Sequence, residues 1–201
     1  MENIINIIGV ISFIVGVISF IYAYTIEQKN KKIRSINWTD IHLATKKFWK
    51  SLKHENFTPS YIITPGQKGG IIAQVFSEFY DIDIPILTGF ILPNIVRHKD
   101  LKDEQYLVIK TTKWYVYMPN IIKTTTNKSN MKILIIDDFT MSGDFLFNLK
   151  EELNNLGYKP QNIRSCSLAV TSVAQNTKKA PDYYYKEVED SNFYFPWGKA
   201  K

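Results

Sequence analysis

Residues 132–149, KILIIDDFTMSGDFLFNL, narrow the choice of fold more than any other stretch. The apolar run Ile133-Leu134-Ile135-Ile136 is too short for a helix of its own and rich in β-branched residues, so it reads as a buried, parallel strand. It ends in two adjacent carboxylates, Asp137 and Asp138, and residues 139–143 follow as a short turn. Apolar residues then recur at Phe145, Leu146, Leu149, Leu153 and Leu156, which is helical spacing on one face. Gly157 stops that helix, with Pro160 just beyond.

The order strand, acidic pair, small-residue turn, helix points to a phosphorylated sugar. Open α/β sheets bind ligands at the carboxyl ends of their strands. The unpaired N–H groups at a helix start, here Ser142 and Gly143, suit a phosphate, and a glycine lets backbone approach it closely. Carboxylates just before such a turn accept hydrogen bonds from ribose hydroxyls or help to hold Mg²⁺. ATPases also place paired acids after a strand, but they need a Gly-x-x-x-x-Gly-Lys-Ser/Thr loop, and none is present. On a purely structural reading, Asp138 caps the turn and Ser142 caps the helix.

The 201 residues allow one soluble domain and a small appendage. Residues 4–26 carry no charge. As a helix they would span about 34 Å, enough for a hydrocarbon core of roughly 30 Å. A basic leader and an Ala-x-Ala-like cleavage site are both missing, so a retained anchor fits better than a signal peptide. Lys29, Lys31, Lys32 and Arg34 follow it, whereas only Glu2 precedes it. The expectation is a single-pass cell-membrane protein in contact with lipid, its soluble domain in the cytoplasm. Gly9, Ser12, Gly16, Ser19 and Ala23 share one helical face, a seam for self-association into a homo-oligomer. The domain plan is thus an anchor over 1–28, a basic linker over 29–37 and the folded domain over 38–201. The net charge of +6 owes much to that linker, and the remaining basic residues form no stripe, so nucleic acid is not an expected partner. Lone Cys166, in an apolar run, reads as a small buried hydrophobe in a reducing compartment.

Within the folded domain, Trp38, Ile41, Phe48, Trp49 and Leu52 mark an amphipathic helix. Tyr61-Ile62-Ile63-Thr64 reads as a strand, Pro65-Gly66-Gln67-Lys68-Gly69-Gly70 as a loop, and residues 71–80 as a helix. Two glycines beside a lysine suit a pyrophosphate through backbone amides and one mobile cation. Residues 84–90, 106–109, 114–118 and 121–125 read as strands, with a polar turn over 100–105 and residues 110–115 as a solvated hairpin or a mobile flap. Residues 162–171 read as a further buried strand. His42, His54 and His98 are isolated, and no metal-ligand cluster or nucleophile set stands out.

IIDDFTMSG resembles the ribose-phosphate motif of type I phosphoribosyltransferases, which use phosphoribosyl pyrophosphate (PRPP). Asp137, Asp138, Phe139, Ser142 and Gly143 match it. Phe145 stands where the family has a hydroxyl on the 5′-phosphate, and Met141 where purine-using members often carry an Asp. Lys68-Gly69-Gly70 is similar to the family's Arg-Gly-Gly-like pyrophosphate loop. Pro181-Asp182-Tyr183-Tyr184 and Phe195-Pro196-Trp197 look like the tail of the hypoxanthine- and xanthine-guanine-type enzymes.

The resemblance implies an α/β fold: a mostly parallel sheet with helices on both faces and a small hood. It implies exchange of the pyrophosphate of PRPP for a purine-like base, with Mg²⁺ as cofactor. By the same resemblance Lys68, Gly69 and Gly70 bind pyrophosphate, and Asp137, Asp138, Thr140, Ser142 and Gly143 hold the ribose phosphate. Lys68 and Asp138 are the catalytic candidates, and Phe193 meets the base. The alternative is a catalytically degenerate sensor or effector subunit that binds PRPP or a nucleotide at the membrane.

Overall fold

The computed structural model describes residues 2–94 and 105–200. Helix α1 (Glu2–Ile33) leads to α2 (Trp38–His54), β1 (Tyr61–Thr64), α3 (Gln67–Ser77), β2 (Ile86–Thr88) and β3 (Phe90–Pro93). Then come β4 (Tyr106–Lys110), β5 (Trp114–Pro119), α4 (Ile121–Thr124), β6 (Ile133–Thr140), α5 (Asp144–Asn155) and β7 (Ile163–Thr171). Helix α6 (Ser172–Asn176), β8 (Tyr183–Val188), β9 (Tyr194–Phe195) and β10 (Gly198–Lys199) complete the chain. His98 and all but the last residue of the turn expected over 100–105 lie outside the described residues.

The main sheet has the order β2-β1-β6-β7-β8, and its pairings are all parallel. The chain leaves β1 toward β2 on one side and returns as β6 on the other. The strand order therefore reverses between β1 and β6, and a crevice opens beyond their carboxyl ends. Strand β6 is apolar throughout its first half because both faces are covered. Leu134 and Ile136 join the core under α2 and α3, while Ile133 and Ile135 join the core under α5 and the hood. Each fully buried side chain of this kind contributes about 1.5–3 kcal/mol. The hood is a three-stranded antiparallel sheet, β3-β5-β4, set against α5, where Asn148 donates to the Lys110 carbonyl at 2.7 Å.

Several expectations shift. Residues 121–125, expected as a strand, instead begin with the short helix α4. Helix α3 starts at Gln67, so the glycine "loop" is its first turn. Strand β6 runs on to Thr140, because Phe139 and Thr140 still pair with Ala169 and Val170. Helix α1 continues through the basic residues to Ile33, and the remaining linker is bound into the carboxyl-terminal tail. The Ile36 amide donates to the Tyr194 carbonyl and the Tyr194 amide to the Arg34 carbonyl, both at 2.9 Å. Helix α2 follows behind a reciprocal cap, Asn37 and Asp40 bonding each other's amides at 2.9 Å.

Among the described residues no helix is long and apolar enough to cross a membrane, so the anchor expected over residues 4–26 is not supported. The side chains described within α1 lie at positions 9 and 11–27. The apolar ones are uncovered, with Phe13 73% and Phe20 74% exposed.

Candidate functional site

The carboxyl ends of β1 and β6, the first turns of α3 and α5, and the tip of the β4–β5 hairpin enclose a cleft of about 660 Å³. Its lining includes Lys68, Asp137, Asp138, Thr140, Ser142 and Gly143, all expected from the sequence, and Thr111, Thr112, Lys113 and Trp114 from the hairpin tip. Residues 110–115 are thus a hairpin that also roofs the site. Its turn is closed by the Thr111 amide on the Trp114 carbonyl at 2.8 Å.

The two acids lie inside a strand, so their side chains leave on opposite faces. Asp138 follows Leu134 and Ile136 toward α3 and the tail. One of its oxygens lies 3.7 Å from the Lys68 ammonium and accepts the Trp197 indole N–H at 3.1 Å. Asp137 follows Ile133 and Ile135 toward α5, and accepts the Asp138 amide at 2.9 Å. Burial, reinforced by the charge of Asp138, pushes the Asp137 carboxyl well above the usual carboxylate range. Of the two, Asp137 is therefore the one that favours its proton.

Gly69 and Gly70, expected on a pyrophosphate, do not line the cleft. A Cβ at Gly69 would stand 2.7 Å from the Ile136 carbonyl and 3.0 Å from Thr64 Cβ, so this glycine lets α3 lie tightly on β1 and β6. The anion-seeking groups of this corner are the Lys68 ammonium and the amides that open α3. Gly143 has the opposite character: it caps α5 with φ +77°, and a Cβ there would meet the Lys179 carbonyl at 2.1 Å. The Ser142 hydroxyl accepts the Asp144 amide at 3.4 Å. Thr171 fastens the turn from below through the Met141 carbonyl.

Phe193, expected at the base, does not line the cleft. It is 1% exposed in the core beneath the tail, 5.3 Å from Phe195. Trp197 does not line the cleft either, but touches it through its indole N–H on Asp138. It stacks on Phe195 at 5.4 Å and meets Trp38 edge-on at 6.0 Å. Asp182 acts as a clip, joining the amide and hydroxyl of Ser165 to Lys150. Cys166 is fully buried, as expected, and burial raises its thiol pKa.

Asp137 and Asp138 supply oxygen donors of the kind Mg²⁺ takes, one or two carboxylates with ligand phosphates and water completing its shell. Among the described residues no cluster of three or more metal-ligating side chains occurs. These residues fit a Mg²⁺ that arrives with a phosphorylated ligand, not one caged by protein alone.

No protein-family model and no curated protein sequence matches the chain. Solved structures do. A purine phosphoribosyltransferase from Pyrococcus horikoshii superposes with TM-score 0.57 at 23% identity, covering 82% of this chain and 94% of that one. A hypothetical protein from Neisseria gonorrhoeae with bound ppGpp gives TM-score 0.57 at 17% identity, covering 82% and 89%. The xanthine-guanine-hypoxanthine phosphoribosyltransferase of Helicobacter pylori gives 0.53 at 18%, covering 82% and 92%. At these identities the likeness establishes architecture, and that architecture, a five-stranded parallel sheet with a small antiparallel hood, is the type I phosphoribosyltransferase fold.

Proposed function

We propose that the cleft binds PRPP or a purine nucleotide and that the chain transfers the phosphoribosyl group to a purine-like base, releasing pyrophosphate. The convergence of Lys68, Asp138 and the Ser142–Gly143 turn on one crevice at the strand-order reversal carries this reading. The α5 turn takes the 5′-phosphate on its amides and on the Ser142 and Thr140 hydroxyls. Asp138 accepts from the ribose hydroxyls once the Trp197 indole withdraws. Lys68 and the opening amides of α3 stabilise charge on the departing pyrophosphate. Bound Mg²⁺ would neutralise charge on the pyrophosphate oxygens, and Asp138, on the Lys68 side of the cleft, is the carboxylate that would hold it.

A second reading, a nucleotide or PRPP sensor without turnover, is favoured by Met141, which puts no titratable group in the turn. Incubating the purified full chain with Mg²⁺, PRPP and a panel of purine bases separates the two. Pyrophosphate release that Asp138→Asn abolishes supports the enzyme. Tight binding without release supports the sensor.

The uncovered apolar side chains of α1 support membrane contact. Such a surface must be covered by lipid or by other helices, and among the described residues a Cβ at Gly9 or Gly16 would meet nothing beyond the helix itself within 4 Å. In this reading α1 tethers the domain to the cell membrane and self-associates along its small residues, with the cleft on the cytoplasmic side. Extraction of membranes with alkaline carbonate tests it: a tethered chain stays in the pellet, and release into the supernatant contradicts it.

A further inference from the structure

The residue that stands out beyond the expected set is Lys179, in the loop between α6 and β8. Its ammonium lies 2.6 Å from Asp144 Oδ1 and 5.3 Å from the ring centroid of Phe147. Asp144 is the first residue of α5, and its other oxygen accepts the Thr112 hydroxyl of the hood at 3.4 Å. An acid in a helix's first turn suits the helix, but it opposes any anion on the same amides. The carboxylate here is held in place all the same. The Lys179 partnership keeps its carboxyl below the usual range, so it is charged at neutral pH.

One observation ties Lys179 to this turn, and a second points to a ligand there. The Lys179 backbone is seated directly on Gly143, which anchors the residue at the turn, while its side chain reaches Asp144 without lining the cleft in the free protein. The Thr140 hydroxyl, on a residue 3% exposed that lines the cleft at this turn, has no hydrogen-bond partner among the described residues. A buried hydroxyl left unpaired is costly unless a ligand oxygen engages it.

We propose that Lys179 sets the charge of the phosphate-binding turn: it neutralises Asp144 in the free protein and turns part of its ammonium toward the ligand's phosphate in the complex. The inference rests on the cleft being a phosphoribosyl site. A lysine offers three donors, and Asp144 occupies one. An incoming phosphate competes with Asp144 for the other two. Removing Lys179 leaves Asp144 to repel the phosphate, and removing both charges relieves that repulsion.

The test measures the affinity of the full chain for GMP and for guanosine, which differ only in the phosphate. Lys179→Met is expected to weaken GMP roughly tenfold and guanosine by less than about twofold. Asp144→Asn tightens GMP about threefold, and the double variant Lys179→Met/Asp144→Asn regains most of the loss. Lys179→Arg keeps GMP affinity, which guards against a mere folding defect in the methionine variant. If the double variant is as weak as Lys179→Met alone, or if guanosine weakens as much as GMP, Lys179 is structural and the inference falls. If the wild-type chain binds neither GMP, guanosine nor PRPP, the reading of the cleft falls and takes this inference with it.

Discussion

The two corners of the cleft look alike in sequence and differ in physics. Each is a strand running into a glycine-bearing turn and then a helix, and each sits at the carboxyl end of a neighbouring strand. At the α3 corner the glycines are inside the helix. Gly69 is there because Ile136 and Thr64 leave no room for a side chain, and the first turn of the helix holds no acid. At the α5 corner the glycine is outside the helix, in a left-handed conformation, and the first turn carries Asp144 with its own counter-ion. One corner sets its cation, Lys68, 3.7 Å from an acid on a neighbouring strand, Asp138. The other is internally neutralised. A glycine beside a suspected phosphate site thus has two separate physical origins, helix-to-sheet contact and backbone turning, and only the second shapes the cleft.

The largest effect should come from Gly143→Ala, where both a positive φ and the Lys179 carbonyl oppose a side chain. A loss of about 3 kcal/mol or more in urea unfolding is expected. Gly69→Ala should cost about 2 kcal/mol through its contact with Ile136, whereas Gly70→Ala, which meets only the adjustable Thr88 hydroxyl, should cost less than about 1. If Gly70→Ala proves as damaging as Gly69→Ala, the packing account of the α3 corner is wrong.

Ligand binding should break the symmetry in the other direction. Lys68→Met is expected to weaken PRPP at least about tenfold while leaving ribose 5-phosphate nearly unchanged, because only PRPP carries a group at the α3 corner. Titration calorimetry with both ligands reads this directly.

A smaller effect tests Asp137. Its folded-state pKa is raised, so the folded form holds the proton more tightly than the unfolded chain. The stability this contributes is present below the ordinary carboxylate value, about 4, and is lost as pH rises toward the folded pKa. Asp137→Asn should therefore raise the melting temperature by about 2–4 °C at neutral pH and leave it unchanged below pH ~4. Smallest of all, Trp197→Phe keeps the stack on Phe195 but removes the donor to Asp138. It should cost under about 1 kcal/mol and leave ribose-ligand affinity equal or slightly higher, since a competitor for Asp138 is gone.

Much of this was legible in the chain. The unbroken apolar run at 133–136 required cover on both faces, and the structure provides it. The period of α5 and its end before Gly157 follow from residue types alone. The acids misled about where β6 ends, because a carboxylate after an apolar run resembles a loop when its strand partner on β7 is unknown. The glycines hid the start of α3, since tertiary contact with β1 and β6 overrides their poor helix propensity. Phe193 looked like a base platform by its neighbours in sequence, yet packing placed it in the core and brought Trp197 forward. Lys179 gave no local signal, and Trp197 was legible only as part of the Phe195-Pro196-Trp197 tail, not as a partner of Asp138. Both act across 35 and 59 positions of chain, which only the fold brings together.

The most direct test is the affinity of the full chain for PRPP with Mg²⁺, compared with that of Asp138→Asn. The account predicts micromolar binding that the substitution weakens by about tenfold or more, because a carboxylate at the strand-order reversal is lost. Undetectable PRPP and nucleotide binding by the wild-type chain, or equal binding by both proteins, would contradict it.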